Sequence, residues 1–209
     1  MYIREKLKEL NKKYTEKAPS IPVLPKQIKL EEVKEQIKEL DKLPIGMYKS
    51  NLNLATYDFK NNFITIISAK STELSAEYVS HIYEEINMIN GLEIMIFDTE
   101  GIIKDTRKNL KLDYQNYSLR IQNNLSKTKH NVCIIIGIDK FLLGIENDFE
   151  EDLRKADDLR NYSFIIVESL FKLKNHEYDD WYKDYVPKDS GIWVGNGIND
   201  QYLLHFDST

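Results

Sequence analysis

Three short stretches of the chain carry residue types suited to nucleotide binding. The first, residues 68–75, lies between an apolar, β-branched run and an amphipathic helical pattern. A phosphate-binding loop belongs at such a corner: glycines let backbone N–H groups curl around the phosphates, a lysine neutralises charge and a hydroxyl holds Mg²⁺. On the frame G-x-x-G-x-G-K-[ST], the chain keeps only the final hydroxyl. The aligned residues are Ser68, Ser71, Glu73, Leu74 and Ser75.

Two other interpretations of this corner stay open. Lys70 and Ser71 can serve as the lysine and the hydroxyl of the motif. In that register only Ser68 and Ala69 lie between the end of the apolar run and Lys70, and two residues are too few to wrap a β-phosphate. Alternatively, Ser71 or Thr72 simply caps the helix. We favour the first register over the second. The predicted ATP-binding set in this stretch is Ser68, Ala69, Lys70, Ser71, Thr72, Glu73, Leu74 and Ser75.

A second stretch supplies an acidic group. The apolar run Val132–Ile138 leads directly to Asp139 and Lys140. In P-loop ATPases a hydrophobic strand of this kind ends in acidic residues that hold Mg²⁺ and polarise the attacking water. Lys140 has the wrong charge for the second role. Asp139 is therefore the candidate catalytic residue and, with Ser75, a candidate Mg²⁺ ligand; the alternative is that it caps the next segment.

The third stretch ends in the candidate residue Ser169, which directly follows the run Ser163–Glu168. A polar residue at this place senses the γ-phosphate in P-loop ATPases, so Ser169 joins Asp139 in the predicted ATP-binding set. The four histidines lack metal-ligand spacing, and Cys133 lies inside an apolar run. Neither residue type predicts a metal centre.

Apolar runs that alternate with amphipathic helical patterns position these stretches. The order predicts an α/β fold, a three-layer RecA-like P-loop NTPase sheet with an N-terminal helical extension, in which ligands bind at the carboxyl ends of the strands. We predict helices and a proline-rich connector over 1–42, and the sheet domain over 43–209. After a turn at 44–46, the predicted strands are 54–58, 63–68, 93–98, 132–138, 163–168, 191–195 and 202–205; the predicted helices are 1–16, 30–40, 73–90, 114–127, 149–160 and 178–185, with the connector at 18–25.

Composition limits the partners. The chain of 209 residues has 34 Asp and Glu against 29 Lys and Arg, with both signs mixed along its length. Nucleic-acid affinity depends on a basic face, so we expect no nucleic-acid partner. The longest apolar run, Val132–Ile138, is far shorter than the about twenty residues of a membrane-spanning helix, so we expect a soluble chain.

Five stretches together resemble FtsK/SpoIIIE-type ATPase modules, and more narrowly the third, C-terminal module of the EssC-type coupling ATPases of type VIIb secretion systems in Firmicutes. They are Leu43–Gly46, residues 68–75, Ile94–Asp98, the strand ending at Asp139, and Ser190–Ile198. The resemblance covers nearly the whole chain, but its catalytic motifs are eroded. It implies a cytoplasmic module of a membrane-anchored protein that works beside neighbouring ATPase modules, assembles into a hexamer and receives secreted proteins of the WXG100-like class.

The closing segment is apolar and aromatic, which suits the cargo-receiving role that the resemblance implies. We predict that Trp193, Ile198 and Tyr202 line a groove for an amphipathic C-terminal helix of a secreted partner. The eroded motifs favour a recognition and regulatory module with weak ATP and Mg²⁺ binding and slow or absent hydrolysis. Two alternatives stay open: a working, divergent ATPase that uses Lys70 and Asp139, and a structural module that completes a hexameric ring.

Overall fold

The core of the protein is a parallel five-stranded sheet. The computed structural model describes residues 2–13, 42–48, 51, 53–58, 60–103, 117, 129–145 and 148–205. Strands β1 (Leu43–Met47) and β2 (Leu54–Tyr57) form a separate antiparallel hairpin. The sheet has the order β4-β5-β6-β3-β7 and consists of β3 (Ile64–Ala69), β4 (Leu92–Asp98), β5 (His130–Ile136), β6 (Tyr162–Ser169) and β7 (Gly191–Trp193).

Helices cover both faces of this sheet. Among the described residues they are α1 (Tyr2–Lys13), α2 (Thr72–Met88), α3 (Ile138–Gly144), α4 (Phe149–Leu159), α5 (Leu170–Asn175), α6 (Asp180–Tyr185) and a short 3-10 helix (Ile198–Asp200). None of the helices in the described part of the chain is long and apolar enough to cross a membrane. The predicted three-layer, RecA-like α/β fold is confirmed.

The strands are apolar on both sides because two cores flank the sheet. Along β6, Phe164 and Ile166 face one core, whereas Ile165 and Val167 face the other. This is the period of two that a strand imposes on its side chains, and the resulting continuous apolar run is typical of buried parallel strands. Helix α2 packs on one face, and α3 to α6 contribute side chains to the core on the other face.

Three predicted elements were wrong. Residues 44–46 form part of β1 instead of a turn. The predicted strand 132–138 ends at Ile136, because Gly137 has a φ of 80° and α3 begins at the next residue. The predicted strand 202–205 is a bend: the Gln201 side chain donates to the Leu204 carbonyl at 2.8 Å and accepts from its N–H at 2.9 Å.

The extension is described only in part. Helix α1 confirms the predicted N-terminal helix over 2–13. The connector at 18–25, the predicted helix 30–40 and nearly all of the predicted helix 114–127 lie outside the described residues. The division of the chain at residue 42 stays a prediction. The short helices α3 and α5 were not predicted, and they carry much of the site chemistry.

Candidate functional site

The carboxyl edge of the sheet brings most of the predicted site together. Ala69 at the end of β3 pairs in register with Ser169 at the end of β6. On the other side of β3, Ser68 pairs with Trp193 of β7. The predicted nucleotide corner, the predicted phosphate sensor and one predicted cargo residue therefore meet at the edge where parallel sheets bind ligands.

The corner between β3 and α2 is very short. The strand continues through Ala69 and the helix begins at Thr72, so only Lys70 and Ser71 connect them. The Ser71 Oγ accepts a hydrogen bond from the Leu74 N–H at 3.3 Å and so satisfies one of the free donors of the helix N-terminus. Capping is the observed role of Ser71, and little backbone remains to curl around a phosphate.

The buried hydroxyls of α2 are bonded to protein atoms. Ser75 is fully buried, and its Oγ donates to the carbonyls of Thr72 at 3.0 Å and Ser71 at 3.3 Å. Such bonds to carbonyls three or four residues back are common for helical serines. Thr72 is also buried, and its Oγ1 donates to the carboxylate of Glu168. A role of Ser75 in Mg²⁺ binding stays a prediction.

Glu168, which the sequence analysis did not select, closes this corner. Its Oε1 accepts the Thr72 hydroxyl and the Ser169 N–H at 2.8 Å, and it lies 3.6 Å from the Lys172 Nζ. Its Oε2 has no hydrogen-bond partner among the described atoms, although the side chain is fully buried. The carboxylate places a negative charge at the positive end of α2, the position that favours phosphate. The sequence feature that could have identified Glu168 is an acidic residue at the end of an otherwise apolar run.

A chain of ion pairs extends from Glu168 along the edge. The Lys172 Nζ lies 3.0 Å from Glu100 Oε1, and the Lys140 Nζ lies 2.6 Å from Glu100 Oε2. The Asp98 carboxylate accepts three backbone N–H groups of the loop after β4 and so holds that loop in place. Lys140, the residue that follows Asp139, is thus paired with Glu100.

These contacts shift the pKa values of Glu100 and Lys172 toward their charged forms. The hydrogen bond from Lys140, aided by Lys172, lowers the pKa of Glu100 below its ordinary value, although partial burial opposes this shift. Burial alone would lower the pKa of Lys172, but the hydrogen bond to Glu100 and the nearby carboxylates outweigh it and raise that pKa. Both side chains are therefore charged at neutral pH.

Asp139 lies in the first turn of α3, not at a strand end. Its Oδ1 is 2.5 Å from the His176 Nε2, and the His176 Nδ1 is 2.6 Å from Asp179 Oδ2. The indole N–H of Trp181 donates to the same Asp179 oxygen at 3.3 Å. The described residues contain no group of three His, Cys, Asp or Glu side chains arranged to hold a metal ion. Mg²⁺ binding by Asp139 stays a prediction.

The remaining predicted ATP-binding residues lie around the same corner. Lys70 is exposed, and its Nζ is 3.4 Å from Asp200 Oδ2 in a surface pair of small expected energy. Ser169 caps α5 by accepting the Lys172 N–H at 3.4 Å. Glu73 is exposed in the first turn of α2. Nucleotide binding by any of these residues stays a prediction.

Two of the three predicted cargo residues are exposed. Ile198 is 40% exposed and Tyr202 is 53% exposed. The Tyr202 hydroxyl donates to Glu177 Oε2 at 3.2 Å, and the Lys174 Nζ lies 5.3 Å from the centre of the Tyr202 ring. Trp193 is partly buried in the sheet, and its indole nitrogen has no partner among the described atoms.

Comparison with known proteins finds similarity at the level of structure. No family model and no curated protein matches the sequence. The cytoplasmic domain of EssC matches with a TM-score of 0.63 and 11% identity, over 100% of this chain and 47% of that chain. The chain has the fold of a type VII secretion ATPase domain. The cytoplasmic domain of the type VII secretion ATPase EccC from Thermomonospora curvata matches with a TM-score of 0.61 and 10% identity, over 88% of this chain and 25% of that chain.

A third structure contains a bound peptide. ATPases 2 and 3 of Thermomonospora curvata EccC, in complex with a signal sequence peptide, match with a TM-score of 0.59 and 12% identity, over 97% of this chain and 42% of that chain. The chain thus spans less than half of the length of each of these chains. The resemblance to EssC-type modules is confirmed for the fold, and at such identities the likeness establishes architecture alone.

Proposed function

We propose that the chain is a degenerate ATPase-fold module of a type VII secretion coupling protein, which receives secreted proteins and binds nucleotide weakly. The buried Glu168, near the end of β6 and in contact with the first residue of α2, carries the proposal. A triphosphate at this corner would meet a carboxylate, a two-residue connection and no glycine loop. Loss of one charge-assisted phosphate contact costs about 1.5–3 kcal/mol, or roughly ten- to a hundredfold in affinity.

The receiving role is supported by the shared fold. One structure with this fold carries a signal sequence peptide. In our proposal this chain receives secreted proteins of the WXG100-like class beside neighbouring ATPase modules, within a hexamer of a membrane-anchored protein. Ile198 and Tyr202 offer exposed apolar surface, with Trp193 at the edge of the sheet. Three such anchors at about 1.5–3 kcal/mol each contribute at most about 9 kcal/mol before the costs of association are subtracted, so we expect binding of micromolar affinity or weaker.

A working ATPase would require rearrangement of this edge. The residues that it would use, Lys70 and Asp139, now contact Asp200 and His176 respectively. The exposed pair of Lys70 is easily exchanged, whereas Asp139 would have to leave a short contact to a mostly buried histidine. ATP hydrolysis by this chain would therefore be detected as phosphate release that depends on Asp139.

Steady-state phosphate release with Mg²⁺ and ATP tests the nucleotide part. We expect no release above the background of the Asp139→Asn variant. Release that is rapid in the wild type and abolished by Asp139→Asn would establish a working ATPase.

Peptide titration tests the receiving part. The probe is the C-terminal helix of a secreted WXG100-like protein, compared with a variant in which one apolar anchor is moved by two residues at unchanged charge. We expect the shift to abolish binding. Equal affinity for both peptides would favour a purely structural module.

A further inference from the structure

Three buried polar atoms lie on neighbouring strands at the carboxyl edge of the sheet, and none has a hydrogen-bond partner among the described atoms. They are the Ser68 Oγ on β3, the Glu168 Oε2 on β6 and the Trp193 Nε1 on β7. Ser68 is 2% exposed, and Glu168 is fully buried. Buried polar atoms are almost always paired, either with protein or with an ordered molecule. Three such neighbours therefore indicate a common ligand.

The three side chains form one row on one face of the sheet. Ser68 pairs in register with Glu168 on one side and with Trp193 on the other side. Register partners on adjacent parallel strands point to the same face, and their strands are about 4.8 Å apart. Ser68 thus places a short side chain between two long ones. This arrangement produces a niche above the Ser68 hydroxyl, with Glu168 and Trp193 as its walls.

Two hydrogen bonds hold the Glu168 carboxylate over the end of β3. Its Oε1 accepts the hydroxyl of Thr72 and the N–H of Ser169, the latter at 2.8 Å. Thr72 is the first residue of α2 and lies just beyond the end of β3, so the carboxylate extends from β6 toward the strand of Ser68. Because Oε1 is engaged in these contacts, Oε2 is the oxygen that can accept a hydrogen bond from a ligand in the niche.

The chemistry of the three atoms selects a small neutral ligand. A carboxylate oxygen only accepts hydrogen bonds, an indole N–H only donates them, and a hydroxyl does both. The ligand must therefore donate to Glu168 and accept from Trp193. A cation would meet the hydrogen of the indole N–H, and an anion would meet the carboxylate. Since all three atoms are shielded from solvent, a large molecule is excluded as well.

We propose that one water molecule binds in this niche and bridges β6, β3 and β7. The water accepts from the Ser68 hydroxyl and the Trp193 N–H, and it donates to the Glu168 Oε2. These bonds satisfy all three protein atoms, and about three is the usual number for a buried water. The water also joins Glu168, at the predicted nucleotide corner, to the predicted cargo residue Trp193 through one hydrogen-bond chain. The proposal is independent of nucleotide and cargo binding.

NMR of the tryptophan indoles is the first test. The sequence has two tryptophans, and Trp193→Phe assigns their N–H signals. We expect a cross-peak between the Trp193 N–H and water that has opposite signs in NOE and ROE spectra, which identifies a bound water; proton exchange gives the same sign in both. Trp181 is the internal control, because its N–H donates to Asp179 Oδ2 at 3.3 Å and should show no such peak. Absence of the Trp193 peak would overturn the water site.

A Ser68→Ala variant distinguishes the water from the Ser68 hydroxyl, whose own proton exchanges with solvent. The variant removes this hydroxyl and leaves Glu168 and Trp193 as partners, and two partners are sufficient for a buried water. We expect the Trp193 cross-peak to persist in the variant. Its loss would assign the peak to the hydroxyl proton and would overturn the proposal.

A crystal structure of the wild type tests the contacts directly. We expect one density peak within about 2.7–3.2 Å of the Glu168 Oε2, the Ser68 Oγ and the Trp193 Nε1. Rubidium at this position in crystals soaked in rubidium chloride would show an alkali-cation site. A direct hydrogen bond from Trp193 to Glu168 would leave the row without a ligand. Either result would overturn the proposal.

Discussion

Removal of the Glu168 carboxylate should destabilise the protein, although a negative charge is buried there. Its Oε1 accepts the hydroxyl of Thr72 and the N–H of Ser169, and it lies 3.6 Å from the Lys172 Nζ. Thr72 and Ser169 are themselves buried. Glu168→Ala leaves their donors without an acceptor at a place that solvent does not reach, and it removes one charge next to Lys172.

The magnitude follows from these contacts. Each buried donor that loses its acceptor costs about 1–3 kcal/mol, and the 3.6 Å pair with the partly exposed Lys172 adds little, so we expect a loss of about 2–6 kcal/mol. In a chain of 209 residues each kcal/mol lowers Tm by about 2–4 °C, so we expect Glu168→Ala to lower Tm by roughly 4–24 °C. Glu168→Gln keeps an oxygen for Thr72 and Ser169 and loses only the charge, so it should cost about 1–3 kcal/mol.

Thermal and urea unfolding followed by circular dichroism measure both changes. Glu77→Ala is the control, because Glu77 is an exposed acid on the same helix, and its effect should stay within about 0.5 kcal/mol. A free energy of unfolding of Glu168→Ala within about 1 kcal/mol of the wild type would refute the reasoning. If Glu168→Ala and Glu168→Gln lower the free energy of unfolding by the same amount, the hydrogen bonds from Thr72 and Ser169 contribute nothing to stability.

Two further predictions concern the neighbouring contacts. Ser71→Ala should lower the free energy of unfolding by about 1 kcal/mol and Ser71→Gly by only a few tenths, because glycine tolerates the cap position; equal losses in urea unfolding would contradict the cap. Since Lys140 and Lys172 hold the pKa of Glu100 below its ordinary value of 4.5, its contribution to stability is complete above about that pH and is lost as the pH falls through the lower folded-state pKa. Glu100→Gln should therefore destabilise the protein at neutral pH, and the difference in stability from the wild type should shrink as the pH falls below 4.5. Parallel stability curves for the two proteins would contradict this account.

The sheet was predictable because its strands are long apolar runs. Strand β6 reads Phe164-Ile165-Ile166-Val167, and its neighbours β3 and β5 are similar. Such runs occur where both faces of a parallel sheet are covered, so the pattern itself predicts helices on both sides. The alternation of these runs with helical periods then predicts the α/β fold.

The break after β5 was not predictable from the pattern. Apolar residues continue through Ile136, Gly137 and Ile138, yet the strand ends at the first of them. A side chain at Gly137 would collide with Thr99, a residue distant in sequence, so tertiary contact and positive φ decide the break. As a result, Asp139 lies in helix α3 and not at the strand end that the sequence pattern predicted.

The ion-pair network was missed for a related reason. Glu100 contacts Lys140 and Lys172, which follow it by 40 and 72 residues. No spacing rule connects positions so far apart, and only the meeting of strand ends brings them together. Glu168 carried a local signal, an acid at the end of a buried strand, but its contact with Thr72 depends on the pairing of β3 with β6.

Calorimetric titration of the chain with Mg²⁺ and ATP, for the wild type and for Glu168→Gln, tests the central claim most directly. In our proposal Glu168 places a negative charge where a phosphate would bind, so the wild type should show no binding or binding weaker than about millimolar. Removal of the negative charge should tighten binding about tenfold, while Glu77→Gln should change nothing. Micromolar binding by the wild type that Glu168→Gln leaves unchanged would contradict the claim that Glu168 closes the nucleotide corner.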